Sequence, residues 1–252
     1  MRSIPDIVKQ LIIINALFFA GSFLINPNIT AIATDLLALH YPGNDRFGIW
    51  QLLTHMFMHG GFTHILFNMF GLWMFGSPLA QMWGKNKFLF FYISAGLGAA
   101  LVQLTVNYAQ VSAILEQLVS AGFSESSVVD LLQSERYSTA WQAVISESQL
   151  NSLYTSFNFS MVGASGALYG VLVAFAFLFP SAELMLLFFP VPIKAKYFVP
   201  VVVLLDTISA LTGRSFFSPS NTAFIAHIGG ALTGFIIMWY WKRNQFNQKR
   251  WN

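Results

Sequence analysis

Stretches without a single charged residue, each long enough to cross a bilayer, recur along this chain. They run from Gln10 to Thr34, Phe47 to Gly84, Phe88 to Leu115, Ser148 to Ala182 and Ser215 to Trp241, and a sixth, Tyr197 to Gly213, is broken only by Asp206. A membrane helix needs about 20 largely apolar residues to cross a hydrocarbon core of about 30 Å. Only 9% of the 252 residues are charged and 56% are apolar, whereas an average soluble domain carries about 25% charged residues. So few charges cannot cover a water-facing surface, and the hydrophobicity excludes a disordered chain. The chain has no cysteine, which excludes a disulfide framework, a thiolate nucleophile and any Cys-ligated metal site. The net charge of +3 is small, and no basic cluster on a soluble face points to nucleic acid.

Trimming at Pro, Gly and polar clusters predicts six spans near 10–27, 62–83, 87–109, 164–180, 197–213 and 221–242. The first lacks a small-residue cleavage pattern and precedes five more, so it reads as a retained helix rather than a signal peptide. Six spans put both termini on one side, with the 84–86 and 181–196 connections. That side carries Arg2, Lys9, Lys85, Lys87, Lys194, Lys196, Lys242, Arg243, Lys249 and Arg250, ten of the 13 basic residues. The positive-inside rule makes it the cytoplasmic side, and its charges suit anionic lipid headgroups. An inward amino terminus without a targeting sequence fits a bacterial inner membrane.

Two outer connections are long. Residues 28–61 mix turn residues such as Pro42-Gly43-Asn44-Asp45 with Trp50, Leu52, Leu53, Met56, Phe57 and Met58, which suits a partly helical loop against the outer leaflet. Residues 110–158 are rich in Ser and Gln and repeat apolar pairs at helical spacing, as in Val128-Val129-Asp130-Leu131-Leu132. They read as a small helical insert outside the membrane. The rest, within 1–252, reads as a single all-α membrane domain.

Polar side chains within spans are costly and are functional candidates by default: here His64, Asn68, Ser165, Tyr169, Asp206 and His227. Ser165 lies in Gly163-Ala164-Ser165-Gly166-Ala167-Leu168-Tyr169-Gly170, where a span begins. First-turn amides have no intrahelical partner and can serve an oxyanion. Equally, Gly166 and Gly170 form a small-residue packing pair. His227, Gly230, Ala231 and Gly234 share one helix face, and packing it on the small face after Ser165 brings imidazole to hydroxyl. Alone, His227 is as readily a buried histidine bonded to backbone. His64 and Asn68, spaced i, i+4, point the same way and can donate to a carbonyl oxygen that gains negative charge, or can glue helices together. All three clusters map to the outer side. Asp206 is expected to bond neighbouring backbone or face outer water, contact with the histidine being the alternative.

These residues resemble a known family. The runs Thr54-His55-Met56-Phe57-Met58-His59 and His64-Ile65-Leu66-Phe67-Asn68, then Gly163-Ala164-Ser165-Gly166 with Tyr169, and Ala226-His227 with Gly230 and Gly234 resemble the rhomboid intramembrane serine proteases. The likeness covers about residues 50–242 apart from the insert. It implies a six-helix rhomboid-like bundle with a Ser165–His227 dyad. The oxyanion site would be the Ser165 amide with His64 and Asn68, and Tyr169 would pack beside His227. Gly163, Gly166, Gly230, His59 and His55 would support them, the two histidines by holding the outer loop to the core. No cofactor or metal is implied. The chain departs from the family at Gln51, where an arginine often follows the tryptophan, and at Ala80, where a glutamate often stands. Both are supporting positions, so the departures bear on the outer loop more than on the chemistry.

The function so implied is hydrolysis of peptide bonds in transmembrane substrate proteins near the outer leaflet. Two other classes are an inactive rhomboid-like protein that escorts membrane proteins, and a haem or metal protein using His55, His59, His64 and His227. In the latter, Gly60-Gly61 interrupts the ligand run and no glutamate completes a zinc-hydrolase pattern.

Overall fold

The computed structural model describes residues 3–23, 27–186, 189–215 and 222–248. Residues 24–26 of the first predicted span, residue 221 of the last, and the basic residues Arg2, Lys249 and Arg250 lie outside them.

The chain is mostly helical. Helices α1 (Asp6–Phe23) and α2 (Pro27–Leu37) lead to a two-residue strand β1 (Leu39–His40), a short helix α3 (Gln51–Thr54) and a 3-10 turn over His55–Phe57. The predicted span 62–83 is a continuous helical run: α4 (Phe62–Gly71), a π-helical turn over Leu72–Gly76, and α5 (Ser77–Trp83). Gly84, at φ 79°, then reverses the chain in a conformation that favours glycine. Helix α6 (Lys85–Ser120) follows, then α7 (Glu125–Gln133), a 3-10 turn over Thr139–Ala143, and α8 (Glu147–Phe157). Strand β2 (Ser160–Met161), α9 (Ser165–Leu178), strands β3 (Glu183–Leu186) and β4 (Phe189–Lys194), α10 (Ala195–Thr212) and α11 (Phe224–Gln248) complete it.

By length and composition, α6, α10 and the Phe224–Asn244 part of α11 can cross a membrane; α9 is apolar but shorter. Large apolar side chains such as Leu17, Phe67, Phe90, Leu204 and Phe235 face outward, a surface suited to lipid rather than water. Helix α9 is the buried centre. Gly166, Ala167, Gly170, Val171 and Ala174 line its buried surface, and it shares one apolar core with Val8 and Leu11 of α1, Leu72, Leu79, Phe88 and Met238.

One expectation needs correction. The fold is not purely helical: β1 pairs antiparallel with β2, Leu39 opposite Met161, and β3 pairs antiparallel with β4. Strands of two to six residues are too short to leave a period in the sequence. Helix α6 runs unbroken past residue 110 to Ser120. Gln103, Thr105 and Asn107 mark the polar end of an apolar run without ending the helix. Val111, Ile114 and Leu118 keep the helical spacing and bury a face against Val128, Leu132, Trp141, Leu150 and Leu153. The segment 110–158 therefore has its own apolar core.

That core reaches back to the 41–46 turn. Tyr41 packs on Phe157 with ring centroids 5.5 Å apart. Asn44 donates to the Phe157 carbonyl at 3.3 Å. The Gln133 amide donates to the Gly43 carbonyl at 3.1 Å and accepts from the Asp45 N–H at 3.2 Å. Arg46 pairs with Glu135.

Candidate active site

The loop before α9 is shaped by one glycine. Gly163 has φ 126°, a left-handed value that favours glycine. A Cβ there would lie 2.7 Å from His64 Nε2 and 3.7 Å from Asn68 Nδ2. Absence of a side chain is what lets His64 and Asn68, one turn apart on α4, press against the backbone two residues before Ser165. The Gly163 N–H donates to the His55 carbonyl at 2.9 Å, tying the loop to the 3-10 turn. Helix α9 begins at Ser165 behind Ala164, which makes no side-chain cap. Its first amides therefore have no helical carbonyl to bond.

Glycine also sets the opposite wall. A Cβ on Gly230 would lie 1.9 Å from the Gly166 carbonyl oxygen, and one on Gly234 would lie 2.6 Å from the Gly170 Cα. The backbones of α9 and α11 are in direct contact along these two pairs, the small-face packing expected from the sequence. That approach puts His227 Nε2 2.9 Å from Ser165 Oγ. Tyr169, one turn along α9, stacks on the His227 ring at 4.1 Å and 16° between planes.

The other imidazole nitrogen is also occupied. His227 Nδ1 is 2.7 Å from Asp206 Oδ2, and both residues are only 6% exposed. This corrects the expectation that Asp206 bonds backbone or faces outer water. A carboxylate only accepts, so Nδ1 carries the proton and Nε2 is left to accept from the serine hydroxyl. Asp206 lies 21 residues from His227 on a different helix, where no local motif joins them. One signal was available: Ala195, Val199, Asp206 and Ser209 are the buried residues of α10, a stripe of mainly small and polar side chains at helical spacing.

On the α4 side, the Gly60 N–H approaches His64 Nδ1 at 3.4 Å, leaving Nε2 as the protonated nitrogen beside Gly163. Asn68 is 5% exposed and its Nδ2 has no hydrogen-bond partner. A buried amide donor without an acceptor is costly, and this one sits beside the serine loop. His59 packs edge-on to His64 at 5.1 Å; burial, with His64 nearby, pushes its imidazole down to about 3. His55 donates from Nδ1 to the Gln51 carbonyl at 2.7 Å, and burial pushes it down to about 4. Both rings are neutral at pH 7 and buried at the end of the outer loop. Among the described residues no three His, Asp or Glu side chains gather to hold a metal ion.

Gln51, noted in the sequence only as a departure, is fully buried. Its Oε1 accepts from the His40 N–H at 3.2 Å, and Nε2 faces the carbonyls of Arg46 at 2.8 Å and of Asp35 and Leu36 at 3.3 Å. A neutral carboxamide thus gathers four backbone groups of the outer loop. Ala80 is simply buried in the main core.

The family model of the Rhomboid domain matches residues 46–244. The chain belongs to the rhomboid family. With its apolar helices, that makes it an integral membrane protein. It is 29% identical over 191 residues to the mitochondrial Rhomboid protein 1 of Saccharomyces cerevisiae, covering 75% of this chain and 41% of that one. It is 25% identical over 210 residues to the human mitochondrial presenilin-associated rhomboid-like protein, covering 80% and 41%. A shorter match, 36% over 58 residues, links it to the Rhomboid protease GluP of Bacillus subtilis, covering 23% and 11%. The matched region is thus less than half the length of each of these rhomboid relatives.

Proposed function

We propose that this rhomboid is an intramembrane serine endopeptidase that cleaves transmembrane proteins near the outer leaflet. The observation that carries the reading is the 2.9 Å contact between Ser165 Oγ and His227 Nε2. Serine is a poor nucleophile at neutral pH and needs a base in contact. Ser165 Oγ attacks the scissile carbonyl carbon while Nε2 takes its proton. The carbonyl oxygen, now negative, is held by the Ser165 N–H, His64 Nε2–H and Asn68 Nδ2–H. The imidazolium then gives its proton to the leaving amine, and water repeats the sequence on the acyl ester. The unpartnered Asn68 donor beside Gly163 suits this role, because it acquires its acceptor only when the oxyanion forms.

In our reading the chain crosses the membrane six times, as one domain whose 110–158 insert lies outside. The basic residues favour cytoplasmic termini, in a bacterial inner membrane, with anionic lipid at the inner surface; the yeast and human relatives are mitochondrial by name. Helix α9 has 14 residues, about 21 Å at 1.5 Å each, less than the hydrocarbon thickness of about 30 Å. Its short length is consistent with a serine below the outer surface, where a substrate helix must unwind to be cut.

The purified protein in detergent should be labelled by a fluorophosphonate and should cut a transmembrane reporter. Both activities should vanish in Ser165→Ala. Cleavage by Ser165→Ala at the unsubstituted rate overturns the proposal.

A further inference from the structure

Asp206 is a buried carboxylate whose partners include the catalytic imidazole and the Tyr169 hydroxyl. It reaches His227 Nδ1 from α10 at 2.7 Å, while Nε2 of the same ring meets Ser165 Oγ at 2.9 Å. Three helices supply the three groups: Asp206 from α10, His227 from α11 and Ser165 from α9. The ring is held on its face as well, by Tyr169. A buried carboxylate is costly even when paired, so a hydrophobic residue at 206 would serve better if α10 had only to pack.

We propose that Asp206 is the positioning residue that completes a Ser165–His227–Asp206 triad in this chain. This rests on the protease reading above and extends it beyond a dyad. Asp206 accepts a hydrogen bond from Nδ1–H throughout and does not itself become protonated. It keeps the ring in the tautomer whose Nε2 is free to accept from Ser165, and its negative charge faces the imidazolium formed during attack. A stacked tyrosine constrains ring tilt, but only an acceptor at Nδ1 selects the tautomer.

The test compares Asp206→Asn and Asp206→Ala with the unsubstituted protein and Ser165→Ala, by steady-state cleavage of a transmembrane reporter and thermal unfolding in detergent. A carboxamide offers the imidazolium no charge. It can also donate to Nδ1, which leaves the proton on Nε2, where the serine needs an acceptor. The expected result is a fall in kcat of about 10³–10⁴-fold for Asp206→Asn, by analogy with the same substitution in the soluble triad proteases. KM should change less than about threefold, since Asp206 acts through His227 rather than on substrate. Asp206→Ala should be no worse than Asp206→Asn. A role confined to joining α10 to α11 predicts the reverse: the isosteric Asn variant would keep near-normal kcat and only Ala would lose it. Histidine ¹⁵N NMR of the unsubstituted protein needs no variant to fold. It should report a protonated Nδ1 and unprotonated Nε2 for His227, and the opposite tautomer overturns the assignment. If Ser165→Ala still cleaves, the protease reading itself fails. If Ser165→Ala is inactive and Asp206→Asn turns over normally, only the triad fails.

Discussion

Gly230→Ala tests the geometry of the site without touching a reacting group. The added Cβ would lie 1.9 Å from the Gly166 carbonyl oxygen, whereas real Cβ contacts essentially never fall below 3.0 Å. The obstacle is backbone, which cannot rotate away as a side chain would, so α9 and α11 must part by about 1 Å or more. Transmitted to the next turn, that stretches the Ser165–His227 contact from 2.9 Å to about 4 Å, beyond hydrogen-bond range. A misplacement of about 1 Å can reduce turnover about 10²-fold, and overpacking destabilises by about 1–3 kcal/mol. Alanine's better helix propensity returns only about 1 kcal/mol of that. We expect kcat to fall at least about 10²-fold, with a lower unfolding temperature, for a transmembrane reporter and purified protein. Gly21→Ala is the control, because its Cβ meets nothing within 4 Å. Full activity and unchanged melting in Gly230→Ala would refute the argument that backbone contact sets the nucleophile–base distance.

Removing either side-chain oxyanion donor, by His64→Ala or Asn68→Ala, should lower kcat about 10²–10³-fold, read by reporter turnover; normal kcat in Asn68→Ala would mean its unpartnered amide meets no oxyanion. Stability should also depend on pH through the two buried histidines of the outer loop. His55 and His59 are pushed down to about 4 and about 3 when folded, from about 6.5 unfolded. The unfolded chain therefore takes up protons first as pH falls, so their contribution is complete above about 6.5 and declines down to about 4 for His55 and about 3 for His59. At pH 5 each would cost about 2 kcal/mol. Unfolding in detergent should occur at lower temperature at pH 5 than at pH 7.5, and equal melting would contradict neutral burial of these rings.

Much of the site is legible in the sequence because its signals are local. Gly163-Ala164-Ser165-Gly166 and His227 with Gly230 and Gly234 each lie on one short segment, and their small faces can fit only closely. His64 and Asn68 share a face by spacing alone. In the sequence Gln51 is only a position without the usual arginine, since nothing in its neighbours reveals that four backbone groups from residues 35–46 converge on it. The 110–158 segment was readable as helical, but not as a body docked on the 41–46 turn through Asn44, Gln133 and Glu135.

Apolar runs, their interruptions and the two glycine-bearing faces were thus determined by the order of residues alone, because solvation and helical periodicity act over a few turns of one segment. Rotation and height of α10 against α11 are different. They depend on how all neighbouring side chains fit together, and only that fit decided that the carboxylate at 206 would meet the imidazole at 227 instead of water.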